Sequence, residues 1–155
     1  MIRYLWISGL VVALDQVSKY AATKYLVRYA EIKLLPFLNL TLVHNAGAAF
    51  GFLSGGSGWQ NVLFSGIAVV ACVAIFVMLR GLKPGDWVPA TALTLILGGA
   101  IGNLIDRLAH GYVIDFVDFH LGGWHFWTFN IADSAITIGA VALIADALGL
   151  LKRKA

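Results

Sequence analysis

Four aspartates, Asp15, Asp106, Asp115 and Asp133, lie in or beside four long apolar stretches of a 155-residue chain. Carboxylates gathered away from bulk water cannot all ionise cheaply, so two of them can divide one proton. One member of such a pair acts as base on a water and the other as acid. Further polar residues stand at helical spacing around these acids. Asp15 and Lys19 are four positions apart, Gly99, Asn103 and Asp106 follow in steps of four and three, and Arg107 lies four beyond Asn103. Each set therefore occupies one helical face.

The elements that must carry these faces are set by composition. Hydrophobic residues make up 60% of the chain and charged residues 12%, and the mean hydropathy is +0.85, outside the range of ordinary soluble proteins. The expected fold class is an all-α integral membrane protein, a four-transmembrane-helix bundle with a small extracytoplasmic β element, forming one domain over residues 1–155. Spans are predicted at Tyr4–Ala22, Trp59–Leu79, Val88–Leu108 and Ile131–Leu151, each near the roughly 20 residues needed to cross ~30 Å of hydrocarbon. Residues 1–22 begin like a secretory signal, but Asp15 and Lys19 interrupt the apolar region, and an uncleaved first span is expected. There is no internal repeat or domain linker, and Gly55-Gly56-Ser57-Gly58 is only a flexible turn.

The formal charge of +3 resides at span ends rather than on one soluble face, which argues against nucleic-acid binding. Arg3, Arg80, Lys83, Lys152, Arg153 and Lys154 would share one side, predicted to be cytoplasmic, with both termini inside. The other side receives Lys24, Arg28 and Lys33. A helical rise of ~1.5 Å per residue puts Asp15 about 15 Å beyond Leu5, and Asn103 and Asp106 about 22 to 27 Å beyond Val88 on the return path. Asp133 opens the last span from that same outer side. Ionised groups at such depth must face each other or a wet cleft, because exposure to lipid costs several kcal/mol on most scales (about 2.5 and upwards). Outside the spans, Leu34–Phe52 partly alternates apolar and polar residues and Val113–Phe119 is a second β-prone run; the two are expected to pair or to lie on the membrane surface.

Each group also has a structural reading. Asp15 with Lys19 could be an ion pair that fixes packing. Asp106 beside Arg107 reads as a charge-paired carboxylate rather than a proton donor, and Asp146 as a partner of the basic C-terminal run. Gly98 and Gly102 form a small-xxx-small pair for close helix packing. His44, His110, His120 and His125 raise a metal site, but HExxH is absent and His120 with His125 does not fit one helical face, so no metal and no cofactor are expected. Cys72 is alone, which excludes an internal disulfide or thiolate cluster. No Gly-x-Ser-x-Gly is present, and neither Ser18 nor Ser134 has the spacing of a serine nucleophile. Asp115 and Asp133 remain as the reacting pair, with Asp118 almost as eligible as Asp115. A proton-coupled transporter would also bury Asp, Lys and Arg but usually shows repeat symmetry or broken helices, and a non-enzymatic assembly subunit would tolerate loss of either aspartate.

Five blocks then stand in order: Asp15-Gln16-Val17-Ser18-Lys19; Asn45-Ala46-Gly47-Ala48-Ala49-Phe50-Gly51; Gly98 to Arg107 (GGAIGNLIDR); Val113-Ile114-Asp115-Phe116; and Phe129-Asn130-Ile131-Ala132-Asp133. Together they resemble the lipoprotein signal peptidases, also called signal peptidase II, over essentially the whole chain. The resemblance implies a bacterial inner-membrane aspartic endopeptidase with four transmembrane helices and an extracytoplasmic β-cradle. It implies removal of the signal peptide from prolipoproteins by cleavage just before a diacylglyceryl-modified cysteine, with membrane lipids in contact; a monomer is expected. By motif position the catalytic dyad falls on Asp115 and Asp133. Asp15, Lys19, Asn45, Gly99, Asn103, Asp106, Arg107, Asn130 and Ala132 fall on the positions that shape the site or contact substrate. Trp127-Thr128 occupies a stretch where some relatives carry proline.

Overall fold

The computed structural model describes residues 2–47, 58–122 and 124–151. A short 3-10 turn, Ile2–Tyr4, leads into α1 (Leu5–Tyr25); β1 (Ile32–Leu35) and β2 (Leu38–Asn45) form a hairpin; α2 (Trp59–Gly81) and α3 (Trp87–His110) follow. Then come β3 (Val113–Leu121), β4 (Trp124–His125) and α4 (Ile131–Ala147). The four predicted spans thus coincide with four helices. The last is four residues shorter than expected, because the apolar run continues to Leu151 but Gly149 turns at φ +71°. Residues 48–57 and 152–154, which hold part of the Asn45 block, the glycine turn and the C-terminal basic run, lie outside the described residues.

The fold is mixed, not all-α. Four strands form one antiparallel sheet in the order β1-β2-β3-β4. The two β-prone runs do pair: Leu38, Asn39 and Leu40 of β2 oppose Phe119, Asp118 and Val117, and after an irregularity Val43, His44 and Asn45 oppose Asp115, Ile114 and Val113. The β content exceeds the expectation because Ile32–Leu35 and Trp124–His125 carry too few alternating residues to stand out alone; tertiary pairing makes them strands.

Local chemistry places each helix end. Gly85, at φ +100°, turns the chain between α2 and α3, where the Asp86 carboxylate accepts the Lys83 N–H at 3.0 Å. Pro89 sits in the first turn of α3, where its missing N–H costs no intrahelical bond. Gly111, at φ +82°, ends α3 and sends the chain into β3. At the start of α4 Asn130 and Asp133 form a capping box, each side chain accepting the other's backbone N–H.

Helix α3 is central and packs on α1, α2 and α4, most extensively on α4. One core cluster, Ile75, Leu79, Ala90, Leu93 and Leu97, joins α2 to α3, with Tyr4 and Leu5 packed against it. A second, Ala22, Leu42, Ile114 and Phe116, joins the end of α1 to the sheet. The sheet and the α2–α3 turn therefore lie at opposite ends of the helices. Among the described residues two helices, α2 and α3, are long and apolar enough to cross a membrane. Much of α2 presents bare apolar side chains outward, including Val62, Val70, Val73 and Val77.

Close helix approach depends on glycines. A Cβ on Gly98 would lie 2.8 Å from Val11 Cβ and 2.9 Å from the Ser8 carbonyl oxygen of α1. A Cβ on Gly139 would lie 2.6 Å from the Ala92 carbonyl oxygen and 2.7 Å from Ile96 of α3. Gly139→Val should therefore force α3 and α4 apart and cost about 1–3 kcal/mol, measured by unfolding of the detergent-solubilised protein. An unchanged unfolding midpoint would contradict this packing.

Candidate active site

Asn130 organises the site from the N-terminus of α4. The preceding segment runs back along β3, with Val117 and Phe129 exchanging backbone hydrogen bonds of 2.9 Å in both directions. That pairing delivers Asn130 beneath β3, fully buried, where its Nδ2 donates to Asp115 Oδ1 at 2.7 Å and to the Ile114 carbonyl at 3.2 Å. Its Oδ1 accepts the Asp133 N–H at 2.9 Å. One amide thus fixes both Asp115 on β3 and Asp133 on α4. The second oxygen of Asp115 accepts from Asn45 Nδ2 at 3.1 Å, and Asp133 Oδ1 accepts from Asn103 Nδ2 at 2.7 Å.

Beneath this layer lies a buried charge cluster. Lys19 Nζ is 2.8 Å from Asp15 Oδ2, 2.9 Å from Asp106 Oδ2 and 3.0 Å from Asn103 Oδ1. Asp15 also accepts the Ala132 N–H at 2.9 Å, tying α1 to the first turn of α4. Asp106 accepts the Ile114 N–H at 3.0 Å, tying α3 to β3, and Gln16 donates to its other oxygen at 3.0 Å. A Cβ on Gly99 would collide with the Ala132 carbonyl oxygen, so Gly99 and Ala132 together set the α3–α4 spacing at this depth.

The expected partner of Asp106 is corrected here. Asp106 pairs with Lys19 of α1, not with Arg107, because adjacent helical residues point about 100° apart. Arg107 instead turns toward the cavity, its guanidinium 5.6 Å above the Phe64 ring and Nη1 only 3.4 Å from the Asn103 carbonyl. Asp115 and Asp118 are placed apart by the strand itself. Three residues apart on one strand, they face opposite sides of the sheet. Asp115 lines the cavity with Asp133, Asn45 and Arg107, whereas Asp118 bonds Asn39 and His125 on the other side. Two further residues join the site: Gln16, which donates to Asp106, and Asn61, whose Nδ2 donates to the Arg107 carbonyl at 3.1 Å. Neither lies at helical spacing from the buried acids in a way that marks it out, and each role follows only from a partner on another helix.

The cavity has a volume of about 1080 Å³, large enough for an extended peptide segment, and is walled partly by Phe64, Phe126 and Phe129. Asp115 is 2% exposed. Burial, followed by the nearby Asp133 charge, pushes its carboxyl up to about 7 against the pull of the Asn45 and Asn130 hydrogen bonds. Close by, His44 stacks on Tyr112 at 4.2 Å, and burial, with Arg28 and His110, holds its imidazole below the ordinary value. Two carboxyl groups, one near neutrality in its protonation, thus share a cleft with an arginine and an asparagine amide.

Comparison with known proteins bears on this arrangement. The family described as signal peptidase (SPase) II matches residues 7–149. A lipoprotein signal peptidase of Alteromonas mediterranea is 51% identical over 145 residues, covering 94% of this chain and 80% of that protein. One of Burkholderia multivorans is 54% identical over 146 residues, covering 94% and 87%. A bacterial membrane enzyme solved by the in meso method at 2.3 Å superposes with a TM-score of 0.83 at 34% identity, covering 100% of this chain and 93% of that one.

Lys19→Met leaves Asp15 and Asp106 buried without their cation. It should cost about 3–5 kcal/mol of stability in denaturant unfolding in detergent, and Lys19→Met combined with Asp15→Asn and Asp106→Asn should recover part of the loss. A single variant as stable as the parent would show that the cluster does not hold the bundle together.

Proposed function

The chain belongs to the signal peptidase II family, and from that premise we propose that it hydrolyses prolipoproteins with Asp115 and Asp133 as the catalytic dyad. The product is a lipoprotein freed of its signal peptide by cleavage just before the diacylglyceryl-modified cysteine. What carries the assignment is the opening of both carboxylates on one cavity, with the Asn130 side chain bonded to the Asp115 carboxylate and to the Asp133 backbone N–H.

In the reactive form the pair shares one proton. The ionised member takes a proton from water, whose oxygen attacks the scissile carbonyl while the protonated member gives its proton to the carbonyl oxygen; on collapse the first member passes the proton it took to the leaving amine and the second recovers its own, so the dyad returns to its starting state. Asn103 and Asn130 position the dyad, since each donates to one reacting carboxylate while both are anchored in the buried network. Asn45, already donating to Asp115, and Arg107, with no ion pair among the described residues, are suited to polar groups of the substrate backbone. Gly99 and Ala132 shape the floor, and Asp15, Lys19 and Asp106 brace it. No metal is invoked in the step, because two carboxyl groups suffice to move the proton.

The same reading makes residues 1–155 a single four-span domain in the bacterial inner membrane, acting as a monomer. The apolar exterior of α2 supports lipid contact. Arg80 and Lys83 lie at the end where Tyr4 and Leu5 pack, so the positive-inside rule makes that end, with both termini, cytoplasmic and puts the sheet and cavity at the outer leaflet. The diacylglyceryl chains would then stay in lipid while the peptide enters the cleft, and the bilayer supplies much of the binding energy.

Asp115→Asn and Asp133→Asn should each abolish cleavage of a diacylglyceryl-modified precursor while leaving the detergent-solubilised protein folded, and an unmodified precursor should stay intact. Retained turnover in both variants would remove the dyad assignment. The pH profile of kcat/KM should be bell-shaped. On the alkaline side the shared proton is lost as pH rises through about 7, the value of Asp115, and the acid disappears; on the acid side both carboxyls are protonated and the base disappears. A rate still rising above pH 8 would contradict this.

A further inference from the structure

The face of the sheet turned away from Asp115 carries a second polar cluster that the hydrolytic step leaves unused. Asp118, 4% exposed, accepts Nδ2 of Asn39, its register partner on β2, at 3.0 Å, and that same Nδ2 reaches Glu31 Oε2 at 3.4 Å. His125 Nδ1 lies 2.9 and 3.0 Å from the two Asp118 oxygens. His120 is the register partner of His125 across the β3–β4 hairpin and stacks on it at 5.1 Å, its Nε2 3.3 Å from Asn39 Oδ1. The spacing of His120 and His125, which fails on a helix, is the spacing of a facing pair on a hairpin.

One oxygen of Glu31, one of Asp118 and a ring nitrogen of His125 lie within 4.8 Å of one another. Two features separate this group from an ordinary surface ion pair. His125, when protonated, neutralises Asp118 alone, and among the described residues neither Asp118 nor Glu31 is paired to a lysine or arginine. Lys33, opposite Asn39 in the register, forms no such pair. In addition the most buried carboxylate is oriented by an amide that is itself held by an imidazole, the arrangement that fixes ligands around a bound ion. Two carboxylate oxygens and one imidazole nitrogen are a donor set for a borderline divalent ion; Mg²⁺ and Ca²⁺ prefer six or more oxygens.

We propose that Glu31, Asp118 and His125 bind one divalent transition-metal ion of the Zn²⁺ type, with Asn39 and His120 orienting the ligands. Glu31 precedes β1 and His125 belongs to β4, so the ion would staple the two edge strands over the middle of the sheet that presents Asp115 on its other face. His125 would bind as the neutral imidazole, so the ion displaces any proton there.

The test uses the full chain in detergent, free of affinity tags and stripped with chelator, with Zn²⁺ alone as probe. Equilibrium dialysis with elemental analysis should find one ion per chain, and Glu31→Gln and His125→Gln should each weaken binding by at least the roughly 10-fold that loss of an outer-shell partner alone costs. Both side chains are exposed, so both variants should fold, verified by an unchanged unfolding midpoint without metal. Co²⁺ should give visible d–d absorption that the variant combining Glu31→Gln with His125→Gln, the double variant, lacks, and Zn²⁺ should raise the unfolding midpoint of the parent alone. Binding no greater than in the double variant, or Co²⁺ bands that survive in it, would overturn the proposal and move the ion to His44, His110 or no defined site.

Discussion

An ammonium group has three hydrogens, and Lys19, 2% exposed, places all three: on Asp15 at 2.8 Å, Asp106 at 2.9 Å and Asn103 at 3.0 Å. Taking such a charge out of water costs several kcal/mol per ion, which only well-aligned partners offset. Each partner then grips a different element. Asp15 holds the Ala132 N–H of α4, Asp106 the Ile114 N–H of β3, and Asn103 the Asp133 carboxylate. One cation on α1 therefore fixes α3, α4 and β3 against one another, and the last two carry the proposed dyad.

The four aspartates divide by the partners they meet. Asp15 and Asp106 face a cation and serve packing. Asp115 and Asp133 receive hydrogen bonds from neutral amides, those of Asn45, Asn103 and Asn130, which orient a carboxylate without supplying an opposite charge. With burial dominant and a like charge nearby, the Asp115 carboxyl sits at about 7, where a proton can be both held and released. The lysine cluster supports this layer through Asn103 and Asn130 yet spends its own charge on Asp15 and Asp106.

The sheet separates two kinds of chemistry by pleat alone. Residues 115 and 118 are three apart on β3, so one opens on the cavity and the other on the Asn39, His120 and His125 cluster. Chain spacing made the two aspartates near equivalents; the strand gives them different surroundings.

The sequence by itself determined the apolar helices, to within a few residues at most ends, because ~20 residues of hydrocarbon length and the scarcity of charge leave little freedom. It also put Asp15, Lys19, Asn103 and Asp106 at similar depth on inward faces, since helical rise and periodicity fix depth and face, but left open whether they met one another or a wet cleft. It supplied two of the strands as alternating runs, but β1 and β4 are too short to declare themselves and exist through pairing. Only the tertiary structure decided that Lys19 rather than Arg107 is the counter-ion of Asp106, because pairing across helices depends on rotation about their axes. Only it brought Asn130 under Asp115 and Asn45 onto it, since those contacts run between segments 15 and 70 residues apart and hinge on which segments pair, which one strand's own pattern leaves open.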